Sequence, residues 1–349
     1  MFMVNDVINT DLELSSLFSS DLQMDRHKIL FSRAFKRMAN KTQVWSNAFG
    51  SDGHKYRTRL THSLEVGSLS QVVSSKLGMN GLLSEIIGYA HDVGHAPFGH
   101  SGQDVLDYCL ATVTNGKERF EHNDQAVRTF SIIENLNLSN EVMLGLCKRD
   151  QVKTASQFGE AQITDKCDAI SYTAGDIEDA ISLGYFDVDY ISNDSNLANV
   201  LVEDGKSKGK SGSELVRHLH AGIITYLATD LVDTTNKNIL EFGLTKDDTL
   251  GKQISERAER IVSFSQIGLL ELQNLKRFMF ANVYRSEQMI TERKKSDAHL
   301  REVFYRMMDN KELLKGTSFY KRYEMGVTSF ARMNCDYIAG CDDKFIMTL

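Results

Sequence analysis

The residues of this chain best suited to chemistry crowd between Arg57 and His122, a stretch holding five of the ten histidines. His91-Asp92 closes the apolar stripe Leu82 to Ala90 and continues as Val93-Gly94-His95-Ala96-Pro97-Phe98-Gly99-His100. A neutral imidazole beside a hard carboxylate can share one divalent cation, and the glycines and proline that follow turn the chain back across the site. A lone His-Asp pair is weak ground for a metal site. Three histidines within ten residues, with a glycine-proline-glycine turn among them, strengthen it.

One cation needs further donors. His62 supplies a second imidazole, and Arg59, one helical turn earlier, shares its face and can meet phosphate beside it; the plainer alternative is a solvated helix start. The remaining acid is Asp168, with Asp165 one turn before it as the alternative. Asp168, Tyr172 and Asp176 recur every four residues and share a helical face, as a ligand followed by two substrate-contacting groups would. Glu178 and Asp179 read as an exposed acidic face.

The elements that must carry these groups are helices. Pro97 is the only proline, and apolar residues recur at three- and four-residue spacing in Leu64–Leu77, Leu82–Ala90, Ile170–Leu183, Leu215–Leu231, Ile254–Leu275 and Leu300–Leu314, with no period-two alternation of comparable length. This predicts an all-α fold. Ser192–Ser213 accumulates Asn, Asp, Ser, Gly and Lys and predicts a mobile surface loop. Its Gly209-Lys210-Ser211 is no P-loop, because Asp204 stands where that motif requires glycine.

At 349 residues and 25% charged, with 42% hydrophobic residues, the chain has the composition of a folded globule. The net charge of −7 argues against a sequence-wide grip on nucleic acid, so an anionic substrate needs a local basic pocket. Five scattered cysteines without a C-x-x-C pair suggest neither a disulfide framework nor a zinc knuckle, and fit a reducing cytoplasm. The segment Met1–Phe18 lacks a basic n-region and no apolar run approaches a membrane span, so the expectation is a cytoplasmic protein, neither secreted nor membrane-embedded.

Arg59-x-x-His62, His91-Asp92 and Asp168 resemble the H…HD…D signature of the HD superfamily. Phe35-Lys36-Arg37-Met38-x-x-Lys41-Thr42-Gln43-Val44, Arg57 to Val66, His91 to His100, Phe120-Glu121-His122-Asn123, Glu160-Ala161-Gln162 and Asp336-Tyr337-Ile338-Ala339-Gly340 resemble, in order, the deoxyguanosine triphosphate triphosphohydrolase family. The similarity covers about residues 25 to 345; each motif is modestly specific and the set strongly so.

The resemblance implies one all-α domain over 1–349, with an HD core at about 25–185, the loop at about 192–213 and additional C-terminal helices at about 214–349. It implies one divalent cation, Mn²⁺ or Mg²⁺ before Fe²⁺ or Co²⁺, held by His62, His91, Asp92 and Asp168. The cation would polarise the α-phosphate and acidify water, so that a deoxynucleoside triphosphate, dGTP the leading candidate, yields deoxynucleoside and tripolyphosphate as O5′ departs. His100 and His122 are the proton-transfer candidates, and Gln103 stands where many relatives carry a glutamate that assists the catalytic histidine. An amide orients an imidazole but cannot stabilise an imidazolium by charge, so another acid must substitute or turnover slows; Asp104 is adjacent but points about 100° away.

Arg59 would contact phosphate, with Lys41 and Arg57 as weaker candidates, while Gln43, Tyr172 and Asp176 match positions that read the deoxyribose. Cys341-Asp342-Asp343-Lys344 departs from the family's Met-Thr-Asp-Arg and puts contacts there in question. A homo-oligomer, commonly a hexamer, and a nucleotide or single-stranded DNA effector are implied partners. His95 is open to a phosphate contact or a structural hydrogen bond. His27, His54, His218, His220 and His299 read as surface or capping residues, and Lys276-Arg277 and Tyr284-Arg285 as a solvated face. Two alternatives remain: another HD phosphohydrolase, a 5′-nucleotidase or phosphodiesterase, and a non-catalytic nucleotide or single-stranded DNA sensor, suggested by Gln103.

Overall fold

The structure is a computed structural model and describes residues 18–45, 56–147, 158–257 and 259–349; His54 lies outside them. Among these residues the regular elements are helices: α1 (Asp21–Phe31), α2 (Arg33–Arg37), α3 (Arg59–Leu77), α4 (Gly81–Ala90), α5 (Gly99–Val113), α6 (His122–Arg128), α7 (Asn140–Leu146), α8 (Gly159–Ser182), α9 (Val188–Asp194), α10 (Asn196–Ser207), α11 (Gly212–Glu241), α12 (Leu250–Ser255), α13 (Gln266–Met279), α14 (Glu287–Asp309), α15 (Ser318–Glu324), α16 (Phe330–Ala339) and α17 (Asp343–Ile346). The expected all-α fold is what forms.

Two sequence expectations are corrected. Ser192–Ser213 is not a loop: Asp187 and Ser195 cap α9 and α10, and only the short turn Lys208–Ser211 separates α10 from α11. The small and polar residues that suggested a loop serve as caps and an amphipathic surface, with Leu197, Ala198 and Val202 buried. The apolar stripe Ile254–Leu275 is two helices, α12 and α13, because Ser265 starts a new helix by accepting the N–H of Gly268.

The helices that matter most have strong local signals. Thr58 and Thr61 start α3 as a reciprocal capping box, each hydroxyl accepting the other's N–H, and Gly78 ends it at φ +81°. Asn80 then caps α4 through the N–H of Leu83. α3 packs along α4 and α8, with Gly88 against Val66 and Gly67 and His91 beside His62 in the first turn of α3.

Three apolar cores meet there. The first joins α3, α8, α11 and α13 through Val73, Leu77, Ile170, Ile177, Ile223 and Leu275. The second joins α5, α14 and α16 through Leu106, Leu110, Val303, Phe304 and Ile338, and the third joins α1, α2, α4 and α7 through Ile29, Phe35, Ile86 and Val142. The turn after α4 spans two of them: Ala90 and Val93 enter the third core, Ala96 and Phe98 the second. The apolar residues of this turn anchor it at both ends, so its polar ones are held in the seam.

Phe98 sits in the left-handed region at φ +63°, a conformation that costs a side-chain-bearing residue roughly 1–2 kcal/mol. It is pinned by Asp343 of α17, whose buried carboxylate accepts the N–H of Phe98 at 3.0 Å, the N–H of Thr42 at 2.9 Å and the Thr42 hydroxyl. Within the departed C-terminal motif, then, the acid that makes this contact is present. Asp343→Ala strands two buried N–H groups and is expected to lower unfolding stability by about 3 kcal/mol, measured by urea denaturation; a loss below about 0.5 kcal/mol would show that the pin is not needed.

Candidate metal centre

His62 projects from α3, His91 caps the C-terminal end of α4, Asp92 follows it and Asp168 lies midway along α8. His62 Nε2 lies 2.9 Å from Asp168 Oδ1, and His91 Nε2 lies 3.3 Å from Asp92 Oδ1 and 3.6 Å from Asp168 Oδ1. Of the two acids left open by spacing, Asp168 is the one that meets both imidazoles. His91 Nδ1 is 2.7 Å from the carbonyl of Gly88. A proton on that nitrogen fixes the tautomer and leaves the Nε2 lone pair facing the carboxylates.

Whether a cation fits can be judged from the spacing and the charges. Ligand atoms at about 2.1 Å from a six-coordinate ion stand about 3.0 Å apart at right angles; His62, His91 and Asp92 bring ligand atoms within 4.8 Å of one another, and Asp168 joins this group through its contacts to the two imidazoles. Burial pushes the pKa of Asp92 up, but His91, His95 and Arg59 together hold it well below the usual carboxylate range. Burial acts likewise on Asp168 and is overcome by hydrogen bonds and charge from His62 and His91. Two ionised carboxylates and two imidazoles in one buried seam suit a divalent cation of the Mn²⁺, Mg²⁺, Fe²⁺ or Co²⁺ type. Asp168 remains 25% exposed, so the site opens on the α8 side.

Arg59 is buried to 2% exposure and donates from Nη1 to Asp92 Oδ2 at 2.6 Å. Its Nη2 lies where a Cβ on Gly99 would come within 2.6 Å, so glycine at φ +64° gives the guanidinium room. The other two cations suggested from sequence are committed elsewhere. Lys41 donates to the carbonyls of His95 and Ala339, both at 2.6 Å, and burial lowers its pKa to about 8. Arg57 is enclosed by Glu65, Glu178 and Asp179. Glu178 and Asp179 are therefore not merely an exposed acidic face; they hold this arginine.

A second histidine group adjoins the first. His95 lies 3.9 Å from His122 with the rings tilted by 34°, and His100 lies 4.9 Å from His95 and 5.6 Å from His122, centroid to centroid. His95 is fully enclosed, with Nδ1 3.2 Å from Asp92 Oδ1; burial and the charge of Arg59 keep it neutral. Neither ring nitrogen has a hydrogen-bond partner among the described residues. His100 stands at the mouth, its pKa lowered by desolvation and by Arg59 and His122. Gln103, expected to assist the catalytic histidine, accepts through Oε1 from the backbone N–H of His122 at 3.0 Å and lies 2.7 Å from its Nδ1. Asp104 turns away to Arg293 at 2.9 Å.

The α8 face continues the site. Tyr172 lies beneath Lys276, whose Nζ is 4.8 Å from the ring centroid. Burial and the charges of Asp168 and Asp176 raise the Tyr172 pKa and keep its phenol protonated. Asp176 is buried, which raises its pKa to about 7, and accepts a short hydrogen bond from Tyr284. Gln43 lies near Arg59 and Gly99, and its side-chain oxygen is buried without a partner among the described residues. Thus the residues expected from sequence come together, joined by Lys276 and Tyr284, which sequence reading left on a solvated face. No local signal marks them: Tyr284 is 108 residues from Asp176, and a π-helical turn, Phe280–Tyr284, delivers it.

The HD domain family matches residues 59–173 and the phosphohydrolase-associated domain residues 262–349. A deoxyguanosinetriphosphate triphosphohydrolase-like protein of Thiobacillus denitrificans is 31% identical, covering 94% of this chain and 89% of that protein. Proteins of the same description from Geobacter sulfurreducens and Leptospira interrogans are 32% and 33% identical, each over 93% of this chain and 86% and 87% of their own length. Fold and donor set define a metal-dependent phosphohydrolase of the HD class. Within it, the chain belongs to the deoxyguanosine triphosphate triphosphohydrolase-like family.

A cation that binds only the folded protein stabilises it by about 2.7 kcal/mol at one hundred times its dissociation constant. Mn²⁺ is therefore expected to raise the melting temperature of the wild type by several degrees, and chelation to reverse it. In Asp168→Ala the shift should vanish, and calorimetry should show no Mn²⁺ uptake; an equal shift in both proteins would rule out this donor set.

Proposed function

We propose that the protein hydrolyses deoxynucleoside triphosphates, dGTP foremost, to deoxynucleoside and inorganic tripolyphosphate, with Mn²⁺ or Mg²⁺ held by His62, His91, Asp92 and Asp168. The observation that carries this reading is the continuity of one helical face: Asp168 at the metal centre, then Tyr172 and Asp176 on successive turns of α8, closed over by Lys276 and Tyr284. Reactive phosphate and sugar would thus lie along a single wall. The family names of the relatives put dGTP first among substrates.

The bound cation would polarise the phosphoryl oxygens and acidify the attacking water. Arg59, through the guanidinium nitrogens its bond to Asp92 leaves over, would neutralise phosphate charge, and Lys276 would add a cation beside Tyr172. Tyr172 offers a flat ring against C2′, where a ribose hydroxyl would clash. Asp176, a carboxyl near its midpoint at neutral pH, can accept from or donate to a 3′-hydroxyl. His100 and His122 supply the proton that O5′ needs as its bond to the α-phosphorus breaks.

Phosphorus NMR of a nucleotide panel with Mn²⁺ or Mg²⁺ is expected to show tripolyphosphate as the first inorganic product from at least one deoxynucleotide. Pyrophosphate or orthophosphate alone would transfer the assignment to another HD phosphohydrolase activity. Tyr284→Phe removes the donor to a buried carboxyl, worth about 1–3 kcal/mol; KM should rise roughly tenfold with kcat less affected, by steady-state kinetics. Gln103 favours one other reading, a sensor that binds nucleotides without turnover. It would show as nucleotide-dependent thermal stabilisation with no product in the same panel.

A further inference from the structure

We propose that Glu121 is the positioning residue that charges His122 in this chain, supplying from the N-terminus of α6 the carboxylate that Gln103 cannot provide from α5. The inference rests on the phosphohydrolase reading above. Its basis is that two side chains from different elements converge on one nitrogen: Gln103 Oε1 lies 2.7 Å and Glu121 Oε1 2.8 Å from His122 Nδ1. One is a neutral amide and the other an anion. Among the described residues, Glu121 is the carboxylate in contact with this imidazole.

The carboxylate is fixed by its own helix. Glu121 caps α6, accepting the N–H of Asn123 at 2.8 Å and of Asp124 at 3.1 Å on Oε2, while Asn123 Nδ2 donates to Oε1 at 2.8 Å. Burial alone would raise its pKa; the hydrogen bond and charge of His122, the N–H of Asp124 and the amide of Asn123 bring it down to about 2. The close approach of α6 to the metal turn depends on Gly94, where a Cβ would meet the His122 carbonyl at 1.9 Å.

The remaining neighbours of His122 among the described residues offer it no free negative charge. Neutral His95 lies against one face, His100 is near, and Arg59 lies beyond them as a fixed positive charge; Asp92 is engaged with Arg59, and Asp104 with Arg293. An imidazolium here needs an anion in contact, and Glu121 is that anion. With a proton held on Nδ1, Nε2 carries the exchangeable one. As the bond between phosphorus and O5′ breaks, that proton passes to O5′ and the ring becomes neutral. The attacking water forms the new bond to phosphorus, and one of its protons replaces the one lost from Nε2.

The test separates this role from simple helix capping. Glu121→Gln keeps an acceptor for the cap but removes the charge. It is expected to lower kcat about thirtyfold or more, with KM within threefold and the melting temperature within a few degrees of the wild type. Because the imidazolium is the acid form, the alkaline limb of the kcat profile should also move to lower pH. Adding Gln103→Glu to Glu121→Gln restores a carboxylate at the same nitrogen, and should recover most of the lost kcat and return the limb.

Glu121→Asp keeps both charge and cap, aspartate being a preferred capping residue, but withdraws the carboxylate from Nδ1; kcat should fall at least tenfold in a protein that remains folded. Full kcat in Glu121→Asp, an unmoved limb in Glu121→Gln, or no rescue in the double variant would overturn the proposal. These comparisons can be read on whichever phosphate ester the wild type hydrolyses. Release of pyrophosphate in place of tripolyphosphate would therefore correct the proposed reaction while leaving Glu121 tested, whereas a wild type that hydrolyses no phosphate ester overturns both.

Discussion

Asp92 and Asp168 bring two negative charges into a seam between three apolar cores, both reaching His91, with His62 against Asp168. Burying an ionised carboxylate is costly unless a positive partner compensates it, and two together cost more. Arg59 answers part of this charge through a single hydrogen bond to Asp92. The remaining demand is for a cation between the imidazoles and carboxylates, and much of the surrounding structure can be understood as keeping that arrangement from relaxing. Without it, the simplest responses would be protonation of a carboxylate or rotation of a side chain towards water.

Relaxation is blocked mainly by the turn after α4. Its apolar residues belong to two different cores, so neither end can move without unpacking one of them. Lys41 ties the carbonyl of His95 to that of Ala339, and Asp343 ties Phe98 to Thr42, so residues from both ends of the described chain brace the same few ångströms. These braces are buried polar groups with satisfied partners, which makes them sensitive to loss of either member. The phosphohydrolase-associated region therefore does more than extend the fold: α16 and α17 close the back of the metal turn, and α13 with the π-helical turn after it supplies Lys276 and Tyr284 to the front.

The two histidine groups divide according to their surroundings. His62 and His91 face Asp168 and suit a metal, whereas His95, which also faces Asp92, is held neutral by burial and the charge of Arg59. His122 lies at the start of a helix among other imidazoles, and its Nδ1 contacts are an amide and a carboxylate from different elements. This arrangement bears on the substitution of glutamine at position 103. The amide on α5 carries no charge, while the carboxylate at the cap of α6 does and has its own structural reason to be there.

Helical periodicity and the single proline are enough to read an all-α fold, the His91-Asp92 pair, and the faces that Arg59 shares with His62 and Asp168 with Tyr172 and Asp176, because each depends on spacing within one helix or one turn; the meeting of Asp168, rather than Asp165, with His62 and His91 spans separate helices and is decided by packing. Lys41 and Arg57, the weaker phosphate candidates, are held elsewhere by partners that local spacing does not show. A cation's role depends on which acceptors surround it, and theirs come from residues 54 to 298 positions and 8 to 122 positions away. Ser192–Ser213 was misread because small polar residues suit both loops and helix caps, and burial of Leu197 and Val202 against neighbouring helices selects the helix. Sequence by itself thus determined which side chains could do chemistry and which helical faces carry them. Only the tertiary structure decided that Tyr284 reaches Asp176, that Gln103 turns to His122 and that Glu121 meets it there, since contacts between elements are set by packing rather than by local spacing.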